Sequence, residues 1–218
     1  MAATKAATSK NGAAPAAPRI TIQRIGLEQI NVPIVGTSPL IVHAFSAKAK
    51  LAMLNAMQGK KIVKEPKDPE VEYQAAFYRL EDGTPAMPAG AFCKATVGGA
   101  RFYASVKMTE LKAFLRFVGE IGGDGRMMVP ITGEPYMRED VAKVNRGLGT
   151  DLRYRPCFPE WSTTLQVIYP PPLLSRDSVL SLIDAGGMGV GVGDWRPEKG
   201  GEFGTYQINT DREIEVIQ

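Results

Sequence analysis

The sequence predicts an α+β fold, and three observations carry that reading. Segments rich in Val and Ile recur, broken by turns of Gly, Pro, Ser and Thr. Two segments, residues 46–57 and 175–184, switch to helical spacing and begin with a serine suited to an N-cap. The chain has 218 residues, 44% hydrophobic and 22% charged, which is the make-up of an ordinary globular protein of about one domain.

Residues 1–19 hold no large apolar side chain, so they have nothing to bury and read as a disordered tail. Lys5, Lys10 and Arg19 stand there without an acid and account for the whole net charge of +3, leaving residues 20–218 neutral. Residues 29–35 and 40–44 read as strands, separated by Gly36-Thr37-Ser38-Pro39. Residues 46–57 read as a helix with Leu51 and Leu54 on one face and Ser46 as cap. Residues 59–69 are a Lys-rich loop, and 73–80 a strand ending at the turn signal Asp82-Gly83.

Pro88-Ala89-Gly90 opens a helix reaching about residue 103. Residues 111–118 and 127–131 look strand-like, whereas 135–159 are irregular, charged and rich in Arg. Residues 161–169 (WSTTLQVIY) are the clearest strand, and 175–184 a helix with Ser175 as cap and Asp177 in its first turn. Residues 205–209 close as a strand. The order strand, helix, strand, strand, helix, strand, with an irregular insertion, fits a ferredoxin-like sheet carrying helices on one face.

Several classes fall away. No stretch approaches the roughly 20 apolar residues of a membrane span, and the N-terminus lacks the apolar run of a secretory signal. Cys93 and Cys157 lie far apart in no metal-type spacing. That suits a reducing cytoplasm and calls for neither metal nor cofactor.

The most unusual segment is GGMGVGVGDWRPEKGGEFG, residues 186–204, with eight glycines in nineteen positions. Glycines let backbone approach a partner closely and can turn N–H groups toward phosphates. No Gly-Lys-Ser/Thr follows, so it is not a phosphate-binding loop of the nucleotide-hydrolase type, and no strand leads into it as in a dinucleotide fingerprint. The plain alternative is a tight connector. Trp195 beside Arg196 offers a stacking plane and a guanidinium, a pair suited to an unpaired base and its phosphate.

This run resembles the glycine-rich loop of the RAMP superfamily (repeat-associated mysterious proteins). Gly191-Val192-Gly193 supplies the first half of its pattern, and Gly201-Glu202-Phe203-Gly204 the second with one extra residue. Three further segments resemble, in the right order, the backbone subunits of CRISPR effector complexes. Residues 30–44 resemble their first strand and turn. Met87-Pro88-Ala89-Gly90, followed by Lys94 and Arg101, resembles the entry to their first basic helix. Residues 144–149 through 161–169 resemble their hairpin and the long strand after it. The resemblance implies a ferredoxin-like core of the RNA-recognition-motif type, with a hairpin inserted over about residues 135–160 and a C-terminal glycine-rich loop. It also implies partners: a single strand of RNA or DNA, further copies stacked side by side in a helical assembly, and other subunits of a larger complex. Chains of this kind occur in CRISPR systems and resemble proteins of phages and prophages.

The charge map, read independently, points the same way. Residues 46–64 carry Lys48, Lys50, Lys60, Lys61 and Lys64 and no acid. Residues 94–116 carry Lys94, Arg101, Lys107, Lys112 and Arg116 against Glu110 alone. Residues 138–155 carry Arg138, Lys143, Arg146, Arg153 and Arg155 against three acids, with Tyr154 and Tyr136 interleaved. The expected strand-binding set is therefore His43, Lys48, Lys50, Lys94, Arg101, Arg138, Lys143, Arg146, Arg153, Tyr154, Arg155, Trp195, Arg196 and Lys199. For any one cluster the plain alternative is a solvated face.

A catalytic role finds little to stand on. Some relatives cut RNA with an acidic residue after the first strand, and residues 37–64 contain no Asp or Glu. The sole histidine, His43, reads either as a packed, hydrogen-bonded side chain on a strand or as a nucleic-acid contact. Cys93 reads as a small buried apolar residue. The expectation is a binder, not an enzyme. The alternatives are an RNA-processing endoribonuclease of the same superfamily, or a phage structural or inhibitor protein that kept the fold.

Overall fold

A computed structural model describes residues 24–60, 66–144 and 149–217. The basic tail, Lys61, Lys64 and Arg146 lie outside the described residues. The chain runs through β1 (Glu28–Gly36), β2 (Leu40–Ile41), α1 (Ala47–Met57), α2 (Pro69–Ala75), β3 (Tyr78–Arg79), β4 (Pro85–Pro88) and α3 (Ala89–Gly99). It continues through α4 (Met108–Phe114), β5 (Arg116–Val118), β6 (Glu120–Ile121), β7 (Met127–Pro130), β8 (Tyr136–Val144) and β9 (Gly149–Phe158). The last elements are β10 (Ser162–Tyr169), α5 (Arg176–Gly189), β11 (Tyr206–Ile208) and β12 (Glu215–Ile217).

The main sheet has the antiparallel order β11-β1-β10-β5. With α3 between β1 and β5, and α5 between β10 and β11, this is the split βαβ arrangement of a ferredoxin-like core. Alternation along β1 sends Ile30, Val32 and Ile34 into a core shared with Leu165 and Val167 of β10, Phe92 of α3 and Leu182 of α5. Helices α3 and α5 cross closely because Gly186 has no side chain: a Cβ there would fall 2.4 Å from the Ala95 carbonyl oxygen.

Two insertions decorate this core. One carries β2, α1, α2, β3 and β4; the other carries β6 to β9. They meet in two further sheets, β2-β9-β8 and β3-β4-β7-β6. The inserted hairpin β8–β9 pairs from Tyr136 with Cys157 to Val144 with Gly149. Residues 136–144 and 149–158, expected to be irregular, are therefore the two strands of a regular ribbon. Their apolar residues are sparse because much of the ribbon faces solvent, which removes the strand-like alternation.

Three other expectations are corrected. Residues 69–75 form a helix, so 73–75 are its last turn and not the start of the strand expected over 73–80: Asp68 caps it, its Oδ1 accepting from the N–H of Glu70 (3.0 Å) and Val71 (3.2 Å), with Pro69 in the first turn. Residues 108–114 are likewise helical, with only Leu111 buried, and strand β5 begins after them. Helix α5 runs on through Gly189, so the first glycines of the rich segment are helical. The caps at Ser46 and Ser175 are as expected, accepting from Ala49 N–H (3.1 Å) and Ser178 N–H (3.2 Å).

Candidate nucleic-acid interface

The glycine-rich segment packs against the body, and many of its N–H groups are spent on backbone carbonyls. Val192 donates to Gly204 (2.9 Å), Gly204 to Pro39 (2.8 Å), Asp194 to Ile41 (2.9 Å) and Phe203 to Trp195 (3.1 Å). Gly191 and Gly204 are buried and Gly193 and Gly201 half-buried. A Cβ at Gly201 would stand 1.7 Å from the Trp195 carbonyl oxygen. The expectation of a cradle for phosphates is thus corrected: the glycines serve close packing. Their consequence is local. The tight turn holds Trp195 at φ 53°, an unusual conformation for a bulky residue, with its side chain 38% exposed.

Around Trp195 the structure gathers part of the expected set. The rings of Trp195 and Phe203 are 6.1 Å apart at 45°. The Arg138 guanidinium lies 4.8 Å from the Phe203 centroid and 5.5 Å from that of Trp195, and Arg155 lies 4.8 Å from Trp195. Register explains the arrangement. Arg138 stands opposite Arg155 and Asp140 opposite Arg153, so all four share one face of the ribbon. Asp140 relieves the facing cations, accepting from Arg138 Nε (2.9 Å) and Arg155 Nη2 (2.5 Å). Arg155 Nη1 donates to Asp194 Oδ2 (2.7 Å), which also meets His43 Nδ1 (3.2 Å). Burial alone would raise the Asp194 carboxyl, but the hydrogen bonds from His43 and Arg155 outweigh it and hold it below the usual range.

This chain of charges corrects several expectations. Arg155 is wholly buried, so it fastens the hairpin to the glycine-rich loop and offers no edge to a strand. His43 is not in a strand, because β2 ends at Ile41, and its side chain is 36% exposed. Tyr154 stands opposite Glu139 on the other face of the ribbon from Arg153 and Arg155, so the three do not form one patch. Partial burial and a hydrogen bond with Glu139 push the Tyr154 phenol up. Arg153 lies 3.9 Å from Asp151. Lys143 pairs through its backbone with Thr150, and its side chain lies outside the described residues.

The remaining cations fall elsewhere. Arg196 donates to Glu198 from Nε (3.1 Å) and Nη2 (2.8 Å) and to the Gly193 carbonyl (3.1 Å). Arg101, just beyond α3, reaches the same Glu198 at 3.7 Å. These partners, Arg196 foremost, hold the Glu198 carboxyl below its ordinary value. Lys199 is exposed on the turn beside them. Lys94 is exposed on α3 next to Cys93, which is only half-buried; burial pushes that thiol up. Lys48 and Lys50 are exposed on α1.

Sequence reasoning missed a second cluster of rings and cations. Arg79 lies 4.1 Å from the Phe77 centroid and Arg126 4.9 Å from that of Tyr78. Arg126 is paired with Asp124, which raises the guanidinium further. They line a cleft of about 240 Å³ together with half-exposed Phe45 and Lys50. The signal was present in the run Phe77-Tyr78-Arg79, hidden by its assignment to a plain strand. His43 joins the clusters: its ring meets Asp194 beside Trp195, and its carbonyl accepts from the Tyr78 hydroxyl (3.3 Å).

No family model matches the chain, and no curated protein matches it in sequence. Among solved structures, it is similar to a chain of the Type III-B Cmr-beta bound to cognate target RNA, with a TM-score of 0.47 and 12% identity. That match covers 88% of this chain and 61% of the other, so this chain spans about three-fifths of its length. It is also similar to Cmr6 from Pyrococcus furiosus, with a TM-score of 0.43 and 10% identity, over 85% of this chain and 100% of that one.

Proposed function

We propose that this protein binds single-stranded nucleic acid without cutting it, copies lying side by side along the strand. One observation carries the reading: half-exposed rings and guanidinium groups gather in two clusters, around Arg138 and Trp195 and around Phe45, Arg79 and Arg126, which His43 links through Asp194 and the Tyr78 hydroxyl. Rings at the surface stack bases of any identity, and cations beside them meet the backbone. The setting would be a strand-holding subunit of a CRISPR-type complex or a strand-coating protein of a phage; both demand this chemistry.

Charge pairing refines the expectation for salt. Each neutralised phosphate contributes roughly −0.7 to the log–log slope for single strands. Arg138, Arg155, Arg196 and Arg126 already face carboxylates, so few counterions are released. About three phosphates give a slope of about −2. Fluorescence anisotropy with a labelled single strand across a salt series measures both quantities. Trp195→Ala should weaken binding by about 1–3 kcal/mol, the range for a lost stacking contact. Unchanged affinity in a variant that melts normally would sink the assignment.

A second reading has one observation in its favour. His43 Nδ1 is oriented by Asp194, the arrangement of a histidine general base. An RNA-cleaving enzyme would then lose cutting in His43→Ala. Intact RNA after incubation with the unmodified protein removes this reading. Asp194 is also engaged by Arg155, which favours an anchoring role for the pair.

A further inference from the structure

Helix α1 is built inside out. None of its residues is buried. The small residues Ala49 and Ala52, with Asn55, are half-buried, while Leu51, Met53, Leu54 and Met57 are exposed. At about 100° per residue the four large side chains and Lys50 fall on one continuous stripe, facing solvent. An isolated helix of this length is marginal in water, and a bare apolar stripe on it marks a surface meant to be covered.

Charge identifies the cover. Residues 47–60 carry Lys48, Lys50 and Lys60 and no acid, whereas residues 68–75 carry Asp68, Glu70 and Glu72 and no Lys or Arg. Helix α2 also buries none of its own residues. It exposes Glu70 and Val71, and Lys67 just before it bonds the carbonyl of Leu152, itself exposed on β9. One helix thus offers apolar side chains ringed by cations. The other offers a smaller apolar surface ringed by anions.

We propose that α1 of one copy docks on α2 and the adjoining end of β9 of a second copy. The stripe covers Val71 and Leu152, and the lysines meet Glu70 and Glu72. The two surfaces differ, so the contact is head to tail, and each added copy brings a further α1 or α2 for the next, which builds a row or a ring of copies. This supplies the link between neighbours that the strand-coating reading requires, yet it does not depend on nucleic acid.

Sedimentation velocity over a concentration series, at low salt and without nucleic acid, tests it. The unmodified protein should associate as its concentration rises. Leu54→Glu and Glu70→Lys alter exposed residues, so both should keep the fold, which circular dichroism verifies. Each should weaken association about tenfold or more, because like charges then face one another. An equimolar mixture should recover it, since Glu at 54 of one variant meets Lys at 70 of the other. An unmodified protein that stays monomeric, variants that associate normally, or a mixture that fails to recover would each overturn the proposal. Failure of Trp195→Ala to affect strand binding would leave it standing.

Discussion

The hairpin β8–β9 and the segment from α1 to Lys60 both look cationic in sequence, but they spend their charge in opposite ways. In the hairpin, register sets Arg138 against Arg155, and the chain relieves the repulsion with Asp140 from within the ribbon and Asp194 from the distant loop. Residues 46–60 hold no acid, and the lysines share α1 with side chains turned outward. A charge tally along a chain therefore says where cations are, not whether they remain available. Cross-strand pairing decides that in a ribbon; on α1, which buries none of its residues, the lysines stand exposed at the surface.

The contrast can be broken most sharply at Asp140. Asp140→Ala leaves the buried Arg155 short of a partner, and breaking such a pair costs about 3 kcal/mol. A thermal melt should fall by about 6–12 °C for a chain of this size; a shift under 2 °C would show that the hairpin charges are as loose as those of α1. Acid titration gives a smaller effect. Burial pulls the Asp194 carboxyl up, but His43 and Arg155 together outweigh it and hold the group below its unfolded value of about 3.9. Its contribution is thus present above about pH 4 and lost as pH falls through the folded value. Asp194→Asn should flatten that part of the stability curve, and an unchanged acid limb would contradict the pairing. The smallest effect is expected on α1, where Leu51→Ala should shift stability by no more than about 0.5 kcal/mol. A larger loss in the same melt would mean that the stripe is already covered within one chain.

The core was legible because burial leaves a pattern. Alternating Ile30, Val32 and Ile34, the run 161–169, and the capping serines Ser46 and Ser175 all act locally, so local sequence reports them. Asp68-Pro69 was equally local, but its Lys-rich surroundings masked the cap. The site was legible only in part. Trp195 and Arg138 could be named, but the role of Arg155 depends on Asp194, 39 positions away. No spacing rule links those two; only the docking of the glycine-rich loop on β2 does. His43 was ambiguous for the same reason, since its partner comes from that loop. The Arg79 and Arg126 cleft joins residues from both insertions: the run Phe77-Tyr78-Arg79 signals one half of it, and nothing local pairs that run with Arg126.

Strand β1 has a consequence for how this molecule can meet others. One flank is zipped to β10; the opposite flank is taken up in halves, by β11 near Val35 and by β12 near Ile30. The rim that a foreign polypeptide would join by backbone pairing is therefore occupied, and the opposite rim is the three-residue β5. Backbone pairing by a partner is limited on this sheet to three-residue rim strands, which leaves recognition there to side chains on its helices and loops, where a change of one residue can alter the match without disturbing the sheet beneath.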